Sequence, residues 1–184
     1  PSPTPIPEKV LTVCLSEEPQ SLYLYGSGTR STWNVLEALY DGPIDIRATG
    51  AEAVILEKIP SLADGDVQIE AVEMRTGDPI VDALGNYVAL SIGSRVRPAG
   101  CASASCAITW DGIVPLQMER MSAEFRLKEG VNWSDGQPVG AEDSVFSYHA
   151  AADPATPTSK TLVDRTASYE AVDERTVRWT GIPG

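Results

Sequence analysis

Residues 125–154 constrain the fold more than any other part of this chain. Phe125 and Leu127 alternate with charged neighbours, as on a strand with one buried face. Asp135-Gly136 then supplies a tight-turn signal, because glycine enters the left-handed region without steric cost. Trp133, just before the turn, offers a large apolar body for a core. Beyond Pro138-Val139-Gly140 come Glu142 and Asp143, acids that suit the positive end of a helix dipole. Gly140 is the expected N-cap, serviceable but weaker than Ser or Thr. The helix should run through Val145, Phe146 and Tyr148 and stop before Asp153-Pro154. A strand, a turn and a capped helix in this order ask for a sheet with a helix laid against it.

The rest of the chain fits that frame. Residues 10–15 read as a strand ended by Pro19, with Cys14 as its buried thiol. Ser31 and Thr32 form a cap signal before a short helix reaching about Tyr40, stopped by Asp41-Gly42-Pro43. Residues 44–46 are a short strand. Residues 67–72 and 87–92 read as strands broken by Gly77-Asp78-Pro79 and by the turn signal at 82–86, which together suggest a meander. Residues 107–110 and 122–127 are further strands, and residues 168–181 a hairpin turning at Asp173-Glu174. Five to eight strands with two or three helices make the fold class α+β.

Charge and chemistry narrow the function by exclusion. Fourteen Lys+Arg stand against 26 Asp+Glu, a net charge of -12, so phosphate backbones are repelled and nucleic acid is excluded as a partner. No apolar run approaches the roughly 18 to 20 residues of a membrane helix. The single histidine, His149, reads as a helix-face residue. No nucleophile elbow, HExxH, CxxC or phosphate loop is present. The pairs Glu17/Glu18, Glu142/Asp143 and Asp173/Glu174 are adjacent residues, poorly placed as acid/base dyads. Asp64-Gly65-Asp66 lacks the spacing and closing Glu of a calcium loop. The expectation is a binder rather than an enzyme, without cofactor or resident metal. Cys101 and Cys106 lie in a short loop of small residues with no further metal ligands nearby. A disulfide there would stabilise by about 2 kcal/mol and implies an oxidising compartment.

The segment FRLKEGVNWSDGQPVGAEDSVFSYHAAADP also resembles the signature of the family 5 extracellular solute-binding proteins. The matching residues are Leu127, Gly130, Trp133 to Gly136, Pro138, Ala141, Glu142, Asp143 and Val145. EEPQSLYLY, NVLEALYDGPI and YEAVDERTVRW resemble other family segments in the same order, with Tyr23-Leu24 where Asp-Pro is common.

The resemblance implies a β-rich, mixed partial lobe I of a two-lobed, periplasmic-binding-protein-like fold (type II, cluster C). In that family the first lobe is assembled from N- and C-terminal parts of a longer chain. Residues 1–9 would be a Pro-rich tether and 10–184 the N-terminal part of lobe I. An insertion would fall at about 48–122, and the second lobe would be absent. The implied function is the substrate-binding component of an ABC importer, capturing oligopeptides or similar small solutes for membrane permease subunits. The implied location is extracytoplasmic, periplasmic or at the cell surface, with a lipid anchor upstream of residue 1.

By position in the family, Glu18, Pro19 and Gln20 correspond to ligand contacts after the first strand, with Glu18 facing a cationic group, against the alternative that it is an exposed loop acid. Phe146 corresponds to a stacking residue, against the alternative that it is core. Open alternatives are the same family binding a nickel chelate, haem or oligosaccharide, and a stand-alone extracellular β-rich interaction module.

Overall fold

A computed structural model of the chain describes residues 10–26, 28–40 and 42–184. These fall into two units, Pro1–Tyr40 and Asp41–Gly184.

Among the described residues of the first unit the one regular element is helix α1, Arg30–Leu39. Its N-cap is Thr29, not the expected Ser31 or Thr32: the Thr29 hydroxyl accepts the Thr32 N–H, while Ser31 and Thr32 are buried inside the helix. Gly28 lies against Trp33: a Cβ there would sit 2.4 Å from the indole nitrogen, so the ring would have to shift to admit a side chain. Residues 10–15 do not form the expected strand, and Cys14 is exposed rather than buried. The β-forming composition is real, but a strand is stable only when its N–H and C=O groups are paired. No strand partner meets these residues among those described.

The second unit is built on a four-stranded antiparallel sheet. In chain order, β1 (Ile44–Arg47) and β2 (Gly50–Ala53) form a hairpin before it. The sheet holds β3 (Val67–Met74), β8 (Leu116–Arg126), β9 (Thr166–Ala171) and β10 (Thr176–Gly181), in the order β3-β8-β10-β9. Helix α2, Ala141–Ala152, has Gly140 as N-cap as the sequence suggested. The Asp143 carboxylate reaches back to accept the Gly140 N–H at 2.8 Å. A four-residue helix, α3 (Thr161–Asp164), leads into the β9–β10 hairpin. The Asp135-Gly136 turn forms with Gly136 at φ +86°.

Between β3 and β8 the chain leaves the sheet. Residues 75–115 form the hairpin β4 (Pro79–Val81) and β5 (Tyr87–Ala89), then the short pair β6 (Arg95–Val96) and β7 (Ile108–Thr109). The expected meander is thus divided, with β3 belonging to the large sheet. A 3₁₀ turn, Ala104–Cys106, closes the loop in which the Cys101 and Cys106 sulfurs are bonded. This module has its own core of Ile80, Leu90, Val96 and Trp110, completed by Met74, Leu116 and Met118 from the sheet.

Register explains why the sheet has two unlike faces, since alternate residues point opposite ways. On one face β8 carries Leu116 and Met118 under the module, then Arg120, Glu124 and Arg126. There the charges pair across strands: Arg120 with Glu70 at 2.6 Å, and Arg178 with Glu124 at 2.6 Å. On the other face β8 presents Met121, Ala123 and Phe125, β3 presents Ile69, and β10 presents Val177 and Trp179.

Candidate functional site

The second face is the floor of a cavity of about 1080 Å³ in the second unit. Its wall is helix α2, which contributes Asp143, Ser144, Ser147, Tyr148 and Ala151 at helical spacing. Trp133, from the turn before α2, stands half exposed at the rim instead of in a closed core. The correction has a physical reason: the indole N–H points to Asp143 Oδ2 at 3.4 Å, which ties the turn to the helix start rather than sinking the ring.

The lining is mostly apolar and aromatic, and several of its polar groups are already engaged. Ser144 Oγ and Tyr169 OH lie 2.8 Å apart. The Trp179 indole donates to Thr166 Oγ1 at 2.9 Å. Glu119 Oε1 accepts the Gly100 N–H at 3.0 Å, and the Arg165 guanidinium donates to the Gly85 carbonyl. Tyr148 and Tyr169 stack with centroids 4.9 Å apart. Such a surface suits apolar side chains better than a polar or charged solute, because these donors and acceptors already have partners. No group of three or more His, Cys, Asp or Glu able to hold a metal occurs among the described residues.

The residues expected to touch ligand do not line this cavity. Glu18, Pro19 and Gln20 belong to the first unit, in irregular backbone, with Pro19 half-buried and its neighbours exposed. Phe146 is on α2 but 75% exposed, whereas Asp143, Ser144, Ser147 and Tyr148 of the same helix line the cavity. Its outward position leaves the ring free to stack on something outside the unit. The aromatic wall of Tyr148, Tyr169 and Trp179 was not singled out from sequence. The alternation of Tyr169 with Ala171 and of Val177 with Trp179 was the available signal.

Comparison with known proteins places this geometry. Residues 119–181 match the family described as bacterial extracellular solute-binding proteins, family 5 Middle. A protein of Brucella melitensis named as a binding protein is 37% identical over 67 residues, 36% of this chain and 11% of that protein. A protein of Agrobacterium fabrum named for peptide binding is 35% identical over 79 residues, 42% of this chain and 12% of its own length. A second Agrobacterium fabrum protein, named for peptidoglycan binding, is 30% identical over 73 residues, 40% of this chain and 11% of its own length. These matches span about a tenth of the length of the curated relatives. The solved structure of an oligopeptide-binding protein from Thermus thermophilus, in complex with a pentapeptide, superposes with a TM-score of 0.54 at 13% identity. That superposition covers 85% of this chain and 19% of the other, and shows a shared mixed, sheet-rich α/β fold. The stretch that matches the family 5 extracellular solute-binding proteins holds most of β8, helix α2 and the β9–β10 hairpin, elements that contribute much of the cavity lining.

Proposed function

We propose that this chain is part of the first lobe of a substrate-binding component that delivers oligopeptides or similar small solutes to an ABC importer outside the cytoplasm. The observation that carries the reading is the family match over residues 119–181, which coincides with the sheet and helix around the cavity. The names of the Agrobacterium fabrum relatives and the fold of the Thermus thermophilus protein support a peptide or peptide-containing ligand.

In this reading the apolar cavity is not the solute site. Several of its polar groups are hydrogen-bonded within the lining, and an open apolar sheet face of this size is what a lobe core looks like before further strands are packed on. Phe146 and the Glu18-Pro19-Gln20 segment are the ligand-facing residues, with Glu18 receiving a cationic group. Residues 1–9, which lie outside the described residues, are read as a tether, and residues of the 48–122 region as an inserted module.

The test is native mass spectrometry of the product purified from its host at natural length. A ladder of co-purifying short-peptide masses supports the reading. A product that ends near Gly184 with nothing bound overturns it in favour of a stand-alone interaction module.

A further inference from the structure

We propose that the connection between α2 and α3 is a strap over one end of the cavity, and that Lys160 is the latch that holds it down. Helix α2 ends without the usual backbone donors for its last carbonyls. Such an end is commonly closed by a left-handed residue after the cap, whose N–H and the next one turn back onto those carbonyls. Here the C-cap Asp153 is followed by Pro154, which has no N–H to give. The next N–H, of Ala155, is taken by Asp153 Oδ1 at 2.7 Å. Among the described residues, none from 150 to 160 adopts left-handed backbone.

Two later side chains supply the missing bonds. Thr156 Oγ1 donates to the Ala150 carbonyl at 2.6 Å. Lys160 Nζ donates to the carbonyls of Ala151, Asp153 and Thr156 at 2.5, 2.7 and 3.1 Å. An ammonium has three hydrogens to give, and three converging carbonyls use all of them. The cage lies at the negative end of the helix dipole, where a cation is favoured. The Lys160 carbonyl accepts the Asp164 N–H at 2.7 Å, so the same residue opens α3. Its neighbours Thr158, Ser159, Leu162 and Val163 line the cavity. One charged side chain thus ties this stretch of cavity wall to the end of α2. Packing contributes little there, since Leu162 is 79% exposed although it lines the cavity. With the latch undone, this end wall swings away while α2 and the sheet stay in place.

The experiment is hydrogen exchange on the whole 184-residue chain and on its Lys160→Ala and Lys160→Met variants. In both variants the Asp153, Thr156 and Asp164 amides should lose protection at least about tenfold, with the β9–β10 amides unchanged. Methionine keeps an unbranched apolar stem without the charge. A protected Lys160→Met would therefore mean that stem packing holds the strap, and would overturn the proposal. Methylammonium added to Lys160→Ala should fill the three carbonyls and restore protection, whereas tetramethylammonium, which has no N–H, should not. Equal action of the two salts, or none from either, overturns the latch. The cavity gives the last readout. An environment-sensitive apolar dye should brighten more with Lys160→Met than with the parent chain, and return to the parent level in Lys160→Ala with methylammonium. Unchanged brightening would mean that the strap is no wall of the cavity, and equally overturns the proposal.

Discussion

Single side chains hold the turns of this molecule in place, and several do so as charged acceptors. Asp111 is held below the usual carboxylate range chiefly by the Ile113 N–H and then by the Val114 N–H. Asp82 is lowered first by the Asn86 N–H, and Asp173 first by the Arg175 N–H and then by the Thr176 hydroxyl. A carboxyl whose folded pKa lies below its unfolded value binds its proton more weakly when folded. It therefore stabilises the fold above the unfolded value of about 3.9, and that contribution is lost as pH falls through the lower folded value. Following the Ile113 and Val114 amide resonances by NMR during acidification should show both moving together with a midpoint below about 3.9. A midpoint at or above it would mean the carboxylate does not hold these amides.

Asp143 joins two elements: it caps Gly140 and receives the Trp133 indole. Asp143→Ala should cost about 1 kcal/mol, a fall of about 2–4 °C in melting temperature for a chain this size. Trp133 fluorescence should shift to the red at the same time, and an unchanged spectrum would show that the ring is held by packing alone.

At the scale of elements, what was legible in the sequence was local. Helix α2 and the β9–β10 hairpin carry their own punctuation, a glycine cap with acids behind it and the Asp173-Glu174 turn, and both fold where they were expected. Strand β8 was read only from residue 122 onward. Its first half does not follow a single alternation, because Leu116 and Met118 are buried under the module while Met121, Ala123 and Phe125 turn to the opposite face. Residues 10–15 failed for the converse reason, since β-propensity says nothing about whether a partner strand exists. The cavity was invisible because Trp133, Tyr148, Tyr169 and Trp179 reach it from separate elements.

The module makes an element-scale prediction of its own. Its loop closed by Cys101 and Cys106 is short, so replacing both by Ser should cost about 2 kcal/mol. Ile80→Ala, at a fully buried position, should cost about 2–5 kcal/mol. Hydrogen exchange should localise both effects to residues 75–115 and leave the β9–β10 amides protected. Equal deprotection of β9 and β10 would show that the module and the sheet unfold as one.

For the second unit as a whole, the decisive asymmetry is between the two faces of one sheet. One face is finished: cross-strand pairs such as Glu70 with Arg120 and Glu124 with Arg178 meet water, and the module covers the rest. Each exposed pair is worth about 0.2–1 kcal/mol, so this face contributes solubility more than stability. The other face leaves Ile69, Met121 and Trp133 open to solvent beside a cavity of about 1080 Å³. If the chain is part of a lobe that closes on a solute, as proposed above, that lobe needs rigid walls, and a wall with an open apolar face is not rigid. Residues 1–184 alone should therefore bind short peptides only weakly, while an environment-sensitive apolar dye should bind and brighten on the open face. The two measurements belong together. Calorimetric titration giving micromolar peptide affinity would mean that this chain holds a finished site. Weak peptide binding with strong dye binding, both reversed in a longer product of the same host, would show that the open face is core and that the solute is captured elsewhere.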